Sequence, residues 1–175
     1  MDKEKALNVL KQGMNTEIWG LRFYQRAVRR TTSPEGKNVF KSLVEEEKRH
    51  LDVLRGQYAA ISGAAKWVSI EEAKAMADSV DPKDIFPKAT SAKTLIPASA
   101  TDEQALQMAM EFEQRGYNMY EQEAKSATSP AEKAMWEWLA KAENAHYTYL
   151  QKTYDFLTTN GTWYYDDREL PIFYN

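Results

Sequence analysis

The sequence predicts an all-α protein, a four-helix bundle in which a long crossover joins the second and third helices. Apolar residues recur at alternating spacings of three and four through most of the chain, which is the period of an amphipathic helix, and strand-like alternation is nearly absent. In addition, the second half of the chain repeats the first. At 175 residues the chain can bury a sizeable core, and we expect one domain.

Four long helices follow from the periodicity, with limits uncertain by roughly 2–4 residues; they are expected at about 3–31, 34–62, 102–127 and 130–158. Ser33 and Pro34 indicate the start of the second helix, since serine caps a helix and proline suits its first turn. The connection before it is short, which makes the first two helices antiparallel neighbours. Capping boxes at 101–104 and 129–132 indicate the starts of the third and fourth helices.

The connection between the halves, residues 63–101, contains three prolines and one short helix predicted from a capping box at 69–72. A plain loop of this length would be unusual. A crossover that returns the chain along the bundle makes the second and third helices parallel. We expect the aromatic tail, residues 159–175, to pack on the bundle or on a partner subunit without forming a helix.

The halves align without a gap when residues 14–58 are placed on residues 110–154. Thirteen of these 45 positions are identical, and they include glutamate, histidine, glycine, tyrosine and proline. Convergence of two helical hairpins on similar core residues would explain the shared leucines and methionines alone. We therefore predict that the bundle is an internal duplication of a helical hairpin.

The composition argues against several classes of protein. A net charge of −3 favours neither nucleic acid nor a membrane surface as a partner. No apolar run approaches the roughly 20 residues that span a bilayer, and the first residues lack the apolar stretch of a secretory signal. The absence of cysteine excludes disulfides and thiolate metal sites within the sequence. We expect a cytoplasmic protein.

Acidic residues and the two histidines of the chain recur in the apolar seams of the predicted helices. Glu47 and His50 lie three residues apart and share one helix face, and the fourth helix repeats the pair. Each of the other two helices contributes one glutamate at matching positions. The predicted metal ligands are Glu17, Glu47, His50, Glu113, Glu143 and His146.

Four ionised carboxylates in one bundle core would repel one another, and burying them without partners is strongly unfavourable. Two divalent cations would balance their charge. Carboxylate and imidazole ligands suit iron or manganese more than copper or structural zinc. Glutamates from two helices with Glu-x-x-His from the other two are typical of di-iron and di-manganese bundles. The sequence therefore predicts a two-metal centre, with iron favoured and manganese possible.

Two further pairs accompany the glutamates. Gly20 and Gly116 lie three residues after the first-helix and third-helix glutamates, where they leave space for an oxidant or allow close helix packing. Tyr24 and Tyr120 lie two turns along the same faces. They are candidate hydrogen-bond or electron donors to the centre, or else core aromatic residues.

These motifs resemble the rubrerythrin-like branch of the ferritin-like superfamily. The resemblance is carried by EIWGLRFY at 17–24, EKRH at 47–50, EQRG at 113–116 and ENAH at 143–146. It implies a ferritin-like bundle with a carboxylate-bridged di-iron centre that reduces hydrogen peroxide or dioxygen with electrons from an external donor. It also implies that Glu17 and Glu113 are mostly terminal ligands, that Glu47 and Glu143 are bridging, and that each histidine binds one iron. We expect a homodimer.

Two departures from the family are visible. Rubrerythrins typically carry a rubredoxin domain, which requires cysteine, and they commonly have an additional glutamate three residues from the third-helix ligand. Met110 and Gly116 occupy those positions here. An iron-handling protein that oxidises or buffers Fe(II) is therefore the main alternative to an oxidoreductase. An oxygenase acting on an organic substrate is a third possibility, and it would need an apolar pocket beside the metals.

Overall fold

A computed structural model of the protein describes residues 2–86, 96–166 and 168–169. The middle of the predicted crossover, 87–95, and the end of the tail, 170–175, lie outside them. The described part is all-helical and contains no strand, which confirms the predicted fold class. Its elements are α1 (Lys3–Arg30), α2 (Pro34–Ala64), α3 (Ile70–Met76), a 3-10 turn (Ala77–Ser79), α4 (Pro82–Ile85), α5 (Asp102–Ser126) and α6 (Pro130–Asn160).

The long helices begin at side-chain caps. Ser33 accepts a hydrogen bond from the Gly36 amide at 3.1 Å at the start of α2, and the predicted capping box at 101–104 is present at α5. The one at 129–132 is only half correct. Ser129 accepts from the Glu132 amide, but the Glu132 carboxylate accepts from the Thr128 amide at 2.8 Å and not from the Ser129 amide that a capping box requires.

The helices pair as two antiparallel hairpins, α1 with α2 and α5 with α6. Tyr24 of α1 donates to Glu113 of α5, and Tyr120 of α5 donates to Glu17 of α1. Since the higher-numbered residue of each helix meets the lower-numbered one of the other, α1 and α5 are antiparallel. It follows that α2 and α5 run parallel, as the long crossover requires.

The crossover holds its helices against α2. Gly56 allows this contact, because a Cβ atom there would lie 1.7 Å from the carbonyl oxygen of Ala73 in α3. The buried Gln57 amide donates to the carbonyl oxygen of Val68 at 2.6 Å and accepts from its amide at 3.1 Å. The second short helix, α4, begins at the cap of Asp81 and was not predicted from the sequence.

The apolar core consists of two clusters. One cluster, which includes Leu10, Leu54 and Trp136, lies on the side of the bundle toward the start of α1. The other, which includes Phe40 and Leu150, lies at the opposite end. Between them lies the layer of glutamates and histidines described below, so the polar residues are screened from solvent by apolar residues along the bundle axis.

The start of the tail packs on this second cluster. The Trp163 ring lies edge-on to Phe40 with centroids 5.5 Å apart, and its indole nitrogen donates to Asp102 at 3.1 Å.

In the described ranges, no helix combines the length and the apolar character needed to cross a membrane.

Candidate metal centre

The six predicted ligands meet at the middle of the bundle, and all of them are fully buried. They form two overlapping groups in which one ligand atom of each residue lies within 4.8 Å of those of the others. The first group is Glu17, Glu47, His50 and Glu143, and the second is Glu47, Glu113, Glu143 and His146. Glu47 and Glu143 belong to both groups, which is the arrangement that two bridging carboxylates require.

In both halves the histidine turns Nδ1 toward the carboxylates. His50 Nδ1 lies 3.2 Å from Glu17 Oε2 and 3.4 Å from Glu143 Oε1. His146 Nδ1 lies 3.3 Å from Glu113 Oε2 and 3.9 Å from Glu47 Oε1. The two rings stack with centroids 5.3 Å apart. Each imidazole is therefore placed to serve one metal position with the same nitrogen.

The two tyrosines hold the carboxylates of Glu17 and Glu113, which each belong to one ligand group and are called the outer carboxylates here. Tyr24 donates its hydroxyl hydrogen to Glu113 Oε1, and Tyr120 donates to Glu17 Oε1. These bonds cross between α1 and α5, and each leaves the second carboxylate oxygen facing a histidine. Both tyrosines are fully buried. Their candidate role as hydrogen-bond donors is therefore visible in the geometry, along with their packing: the Tyr120 ring stacks on Trp136 at 5.7 Å.

Glu47 and Glu143, which belong to both ligand groups, differ from the outer carboxylates in their hydrogen bonding. None of their four carboxylate oxygens has a hydrogen-bond partner among the described residues, and neither does His50 Nε2. Burial without a donor is strongly unfavourable for a carboxylate. A pair of cations shared between these two carboxylates would supply the missing partners. The donor set therefore fits a two-metal centre.

The glycines make room for these carboxylates. A Cβ atom at Gly20 would lie 3.0 Å from Glu47 Oε2, and one at Gly116 would lie 2.9 Å from Glu143 Oε2. Both distances are shorter than ordinary contacts of a Cβ atom. The glycines are therefore required where they stand, because the carboxylate of the neighbouring helix occupies the space that a side chain would need.

Comparison with known proteins agrees with this arrangement. Residues 1–58 match the Rubrerythrin family model. The resemblance to rubrerythrins is confirmed. The matched segment contains α1 and most of α2, and hence Glu17, Glu47 and His50. A comparison with curated proteins gave no match.

Among solved structures, a hypothetical protein from Pyrococcus furiosus is similar, with a TM-score of 0.62 and 22% sequence identity. The alignment covers 88% of this chain and 90% of that one. At this level of identity the likeness concerns the fold alone, and it extends over most of the chain.

The electrostatics separate the four glutamates into two kinds. Burial and the negative charge of Glu17 raise the pKa of Glu47 well above its ordinary value, and burial and the charge of Glu113 do the same for the pKa of Glu143. Burial also acts against ionisation of Glu17 and Glu113, but hydrogen bonds and charge from the neighbouring histidines outweigh it and lower the pKa of each. Ionisation is thus favoured for Glu17 and Glu113 and opposed for Glu47 and Glu143.

The candidate metal centre has two neighbours, Glu46 and Trp138, that are not among the ligands predicted from the sequence. Glu46 is buried, and one of its oxygens lies within 4.8 Å of ligand atoms of both histidines. It also pairs with Arg49 at 2.6 Å. The ring of Trp138 lies edge-on to His50 with centroids 5.2 Å apart.

Proposed function

We propose that the chain is a cytoplasmic di-iron oxidoreductase that reduces hydrogen peroxide or dioxygen with electrons from an external protein donor. The observation that carries the proposal is the pair of shared, donorless carboxylates, Glu47 and Glu143, inside two ligand groups that each include one imidazole. Two ferrous ions would neutralise four carboxylates. When bound, a reduced iron pair would supply two electrons, which with two protons would convert peroxide to two waters or dioxygen to hydrogen peroxide, and the external donor would then restore the two electrons.

The side chains would divide the remaining tasks. Glu17 and Glu113 would bind one ion each, held in place by the tyrosine hydroxyls that occupy their other oxygens. Glu47 and Glu143 would bridge. The pKa of each bridging carboxyl is raised in the metal-free protein by burial and by a neighbouring glutamate, so each would give up any proton that it holds when metal ions bind.

Iron handling is the second candidate, and Glu46 is the observation that favours it. This buried carboxylate approaches both histidines from α2 only, since Ala142 stands at the matching position of α6. A further carboxylate beside both histidines offers a passing ion an additional ligand.

Two experiments separate these functions. An anaerobic Fe(II) titration should give two ions per chain. Stopped-flow mixing of the loaded protein with peroxide, and separately with dioxygen, should then give oxidation followed by repeated turnover when a reductant is added. Oxidation that accumulates ferric iron beyond two ions per chain, without turnover, would support iron handling.

Histidine variants sharpen the distinction. If both positions belong to one retained cofactor, His50→Ala and His146→Ala should slow oxidation to comparable extents, within roughly tenfold or about 1.4 kcal/mol of barrier. Asn144→Ala, at an exposed position of α6, is the control and should change little. Loss of turnover in one histidine variant with little effect in the other would favour one holding site and one transit site.

A further inference from the structure

A pocket with a volume of about 490 Å³ lies between α1 and α5, over the glycine-lined side of the metal centre. Its apolar wall is formed by Trp19, Phe23, Met108, Phe112 and Met119. Gly116 also lines it, and the space next to Gly116 that a side chain would fill is taken by the Glu143 carboxylate. Gly116 is thus the residue that the pocket wall and the carboxylate cluster share.

The pocket straddles the internal repeat, but the repeat is broken where the access would lie. Thr16 in α1 corresponds to Phe112 in α5. The Phe112 ring covers Gly20: its Cε1 atom lies 2.9 Å from where a Gly20 Cβ would be. At Gly116 the three nearest atoms to the same position all belong to Glu143. Phenylalanine therefore blocks the Glu47 side of the centre, whereas threonine leaves the Glu143 side open.

The lining matches a small apolar molecule. Asn15, Glu111 and Arg115, which contribute polar groups to the pocket, are exposed. The Thr16 hydroxyl already donates to the Gln12 carbonyl at 3.1 Å. An organic substrate is usually oriented by polar groups that converge inside its pocket, and this wall offers none among the described residues. Thioethers such as those of Met108 and Met119 are oxidised by peroxide, whereas ground-state dioxygen leaves them intact.

We propose that this pocket is the access route for dioxygen, and that it reaches the metal centre at Gly116, on the Glu143 side alone. The proposal rests on the proposed function, since it requires a centre that reacts with dioxygen. It also assigns a role to the difference between positions 16 and 112 of the aligned halves.

Thr16→Phe tests the route without touching a predicted ligand. By the internal repeat, a phenylalanine at position 16 should cover Gly116 as Phe112 covers Gly20. We expect dioxygen-driven oxidation of the Fe(II)-loaded protein to slow at least tenfold, with two Fe(II) still bound per chain under anaerobic conditions. Thr148→Phe is the matched control: its hydroxyl also donates to the carbonyl four residues back, at 2.8 Å, but on an exposed face of α6. It should stay within twofold of the parent.

The double variant Thr16→Phe/Phe112→Thr conserves composition and moves the opening to the Gly20 side. It should recover the parent rate to within about threefold. Equal rates for Thr16→Phe and Thr148→Phe would overturn the proposal. So would an equal slowing of the peroxide reaction, because peroxide would then share the route assigned to dioxygen.

A readout that does not depend on activity uses xenon, an apolar probe of about the size of dioxygen. Crystals of the metal-free protein under xenon pressure should show a xenon atom in the pocket against Gly116, and crystals of the double variant one against Gly20. A parent pocket without xenon refutes the route. If the parent binds xenon in this place but its iron is oxidised by neither dioxygen nor peroxide, the proposed function fails and the apolar pocket stands.

Discussion

Glu47→Gln in the metal-free protein tests whether repulsion between buried carboxylates is the main cost of leaving the centre without metal. The substitution removes one charge at nearly constant shape. Glu47 is fully buried and its oxygens have no donor among the described residues. The new amide could donate to Glu17, as protonated Glu47 can. We therefore expect the variant to be more stable than the parent when both are metal-free.

The size of the effect has an upper bound. The ligand atoms of each group lie within 4.8 Å of one another, and two charges at that distance repel by about 3.5 kcal/mol at an effective dielectric constant of 20, or by more when they are closer. Protonation limits this cost. At pH 7, protonating a carboxyl with an ordinary pKa of 4.5 costs about 3.4 kcal/mol. A gain of about 2 kcal/mol in free energy of unfolding is a reasonable expectation, which corresponds to about 4–8 °C in melting temperature.

The sign of the pH dependence follows from the raised pKa of Glu47. A carboxyl whose pKa is higher in the folded state destabilises the fold when it is ionised, and the destabilisation is relieved as pH falls through the folded-state pKa. The difference between variant and parent should therefore shrink as pH falls from 7 toward 4.5. Below 4.5 the carboxyl is protonated in both the folded and the unfolded chain, so the difference no longer depends on it.

Thermal melts followed by circular dichroism, with and without Fe(II) or Mn(II), would measure both effects. Glu45→Gln is the matched control, because Glu45 lies on the same helix but is exposed and pairs with Lys48 at the surface. The free energy of unfolding of this variant should stay within about 0.5 kcal/mol of that of the parent. Metal should raise the melting temperature of the Glu47 variant less than that of the parent. A lower melting temperature for the metal-free variant would refute the reasoning, since it would mean that protein hydrogen bonds hold Glu47 ionised.

Three other outcomes are expected. Tyr24→Phe and Tyr120→Phe should each destabilise the metal-free protein by about 1–3 kcal/mol, because each leaves a buried carboxylate oxygen without its donor. Chemical denaturation would measure the two losses, and a difference between them above about 2 kcal/mol would contradict the equivalence of the halves. Metal binding should release protons, and the metal affinity should rise with pH, since the two bridging carboxyls have raised pKa values. Calorimetry in buffers of different ionisation enthalpy would detect the released protons, and identical heats in all buffers would exclude proton release. Gly56→Ala should lower the free energy of unfolding by more than about 2 kcal/mol, because the new Cβ would overlap the Ala73 carbonyl. Gly63→Ala is the control and should leave the stability unchanged or raise it, because the space around Gly63 is open.

The sequence was sufficient for the convergence of the ligands because helical period and internal register act together. Glu47 and His50 must share a face, and the offset of 96 residues places a second pair opposite the first. The sequence could not show that Tyr24 bonds to Glu113 and not to a residue of its own helix, since this depends on how far two antiparallel helices are staggered. For the same reason the sequence could not show which residue lies against Gly20, where the missing side chain makes room for a carboxylate of α2.

Glu46 shows a different limit. It lies within a run of three glutamates, 45–47, and the sequence does not say which of them face inward. Successive residues turn by about 100° around a helix, so a run of three spans more than half of its circumference. In the structure Glu45 is exposed, whereas the other two are buried. Periodicity located Glu47 through its histidine, but the outcome for Glu46 depends on how broad the buried face of α2 is.

Duplication makes the ligands alike, and later divergence of the surroundings makes the two metal positions distinguishable. Trp138 lies against His50 and Phe112 against Gly20, while Glu46 reaches both histidines from α2 alone. The residues at the matching positions of the repeat are Ala142 for Glu46, Ser42 for Trp138 and Thr16 for Phe112. None of these residues is a member of the repeated ligand set. A symmetric set can hold two ions with similar affinity, while the one-sided residues determine from which side an oxidant, a proton or an additional ligand approaches. Functional differences between the halves should therefore be sought in these three residues before the six ligands.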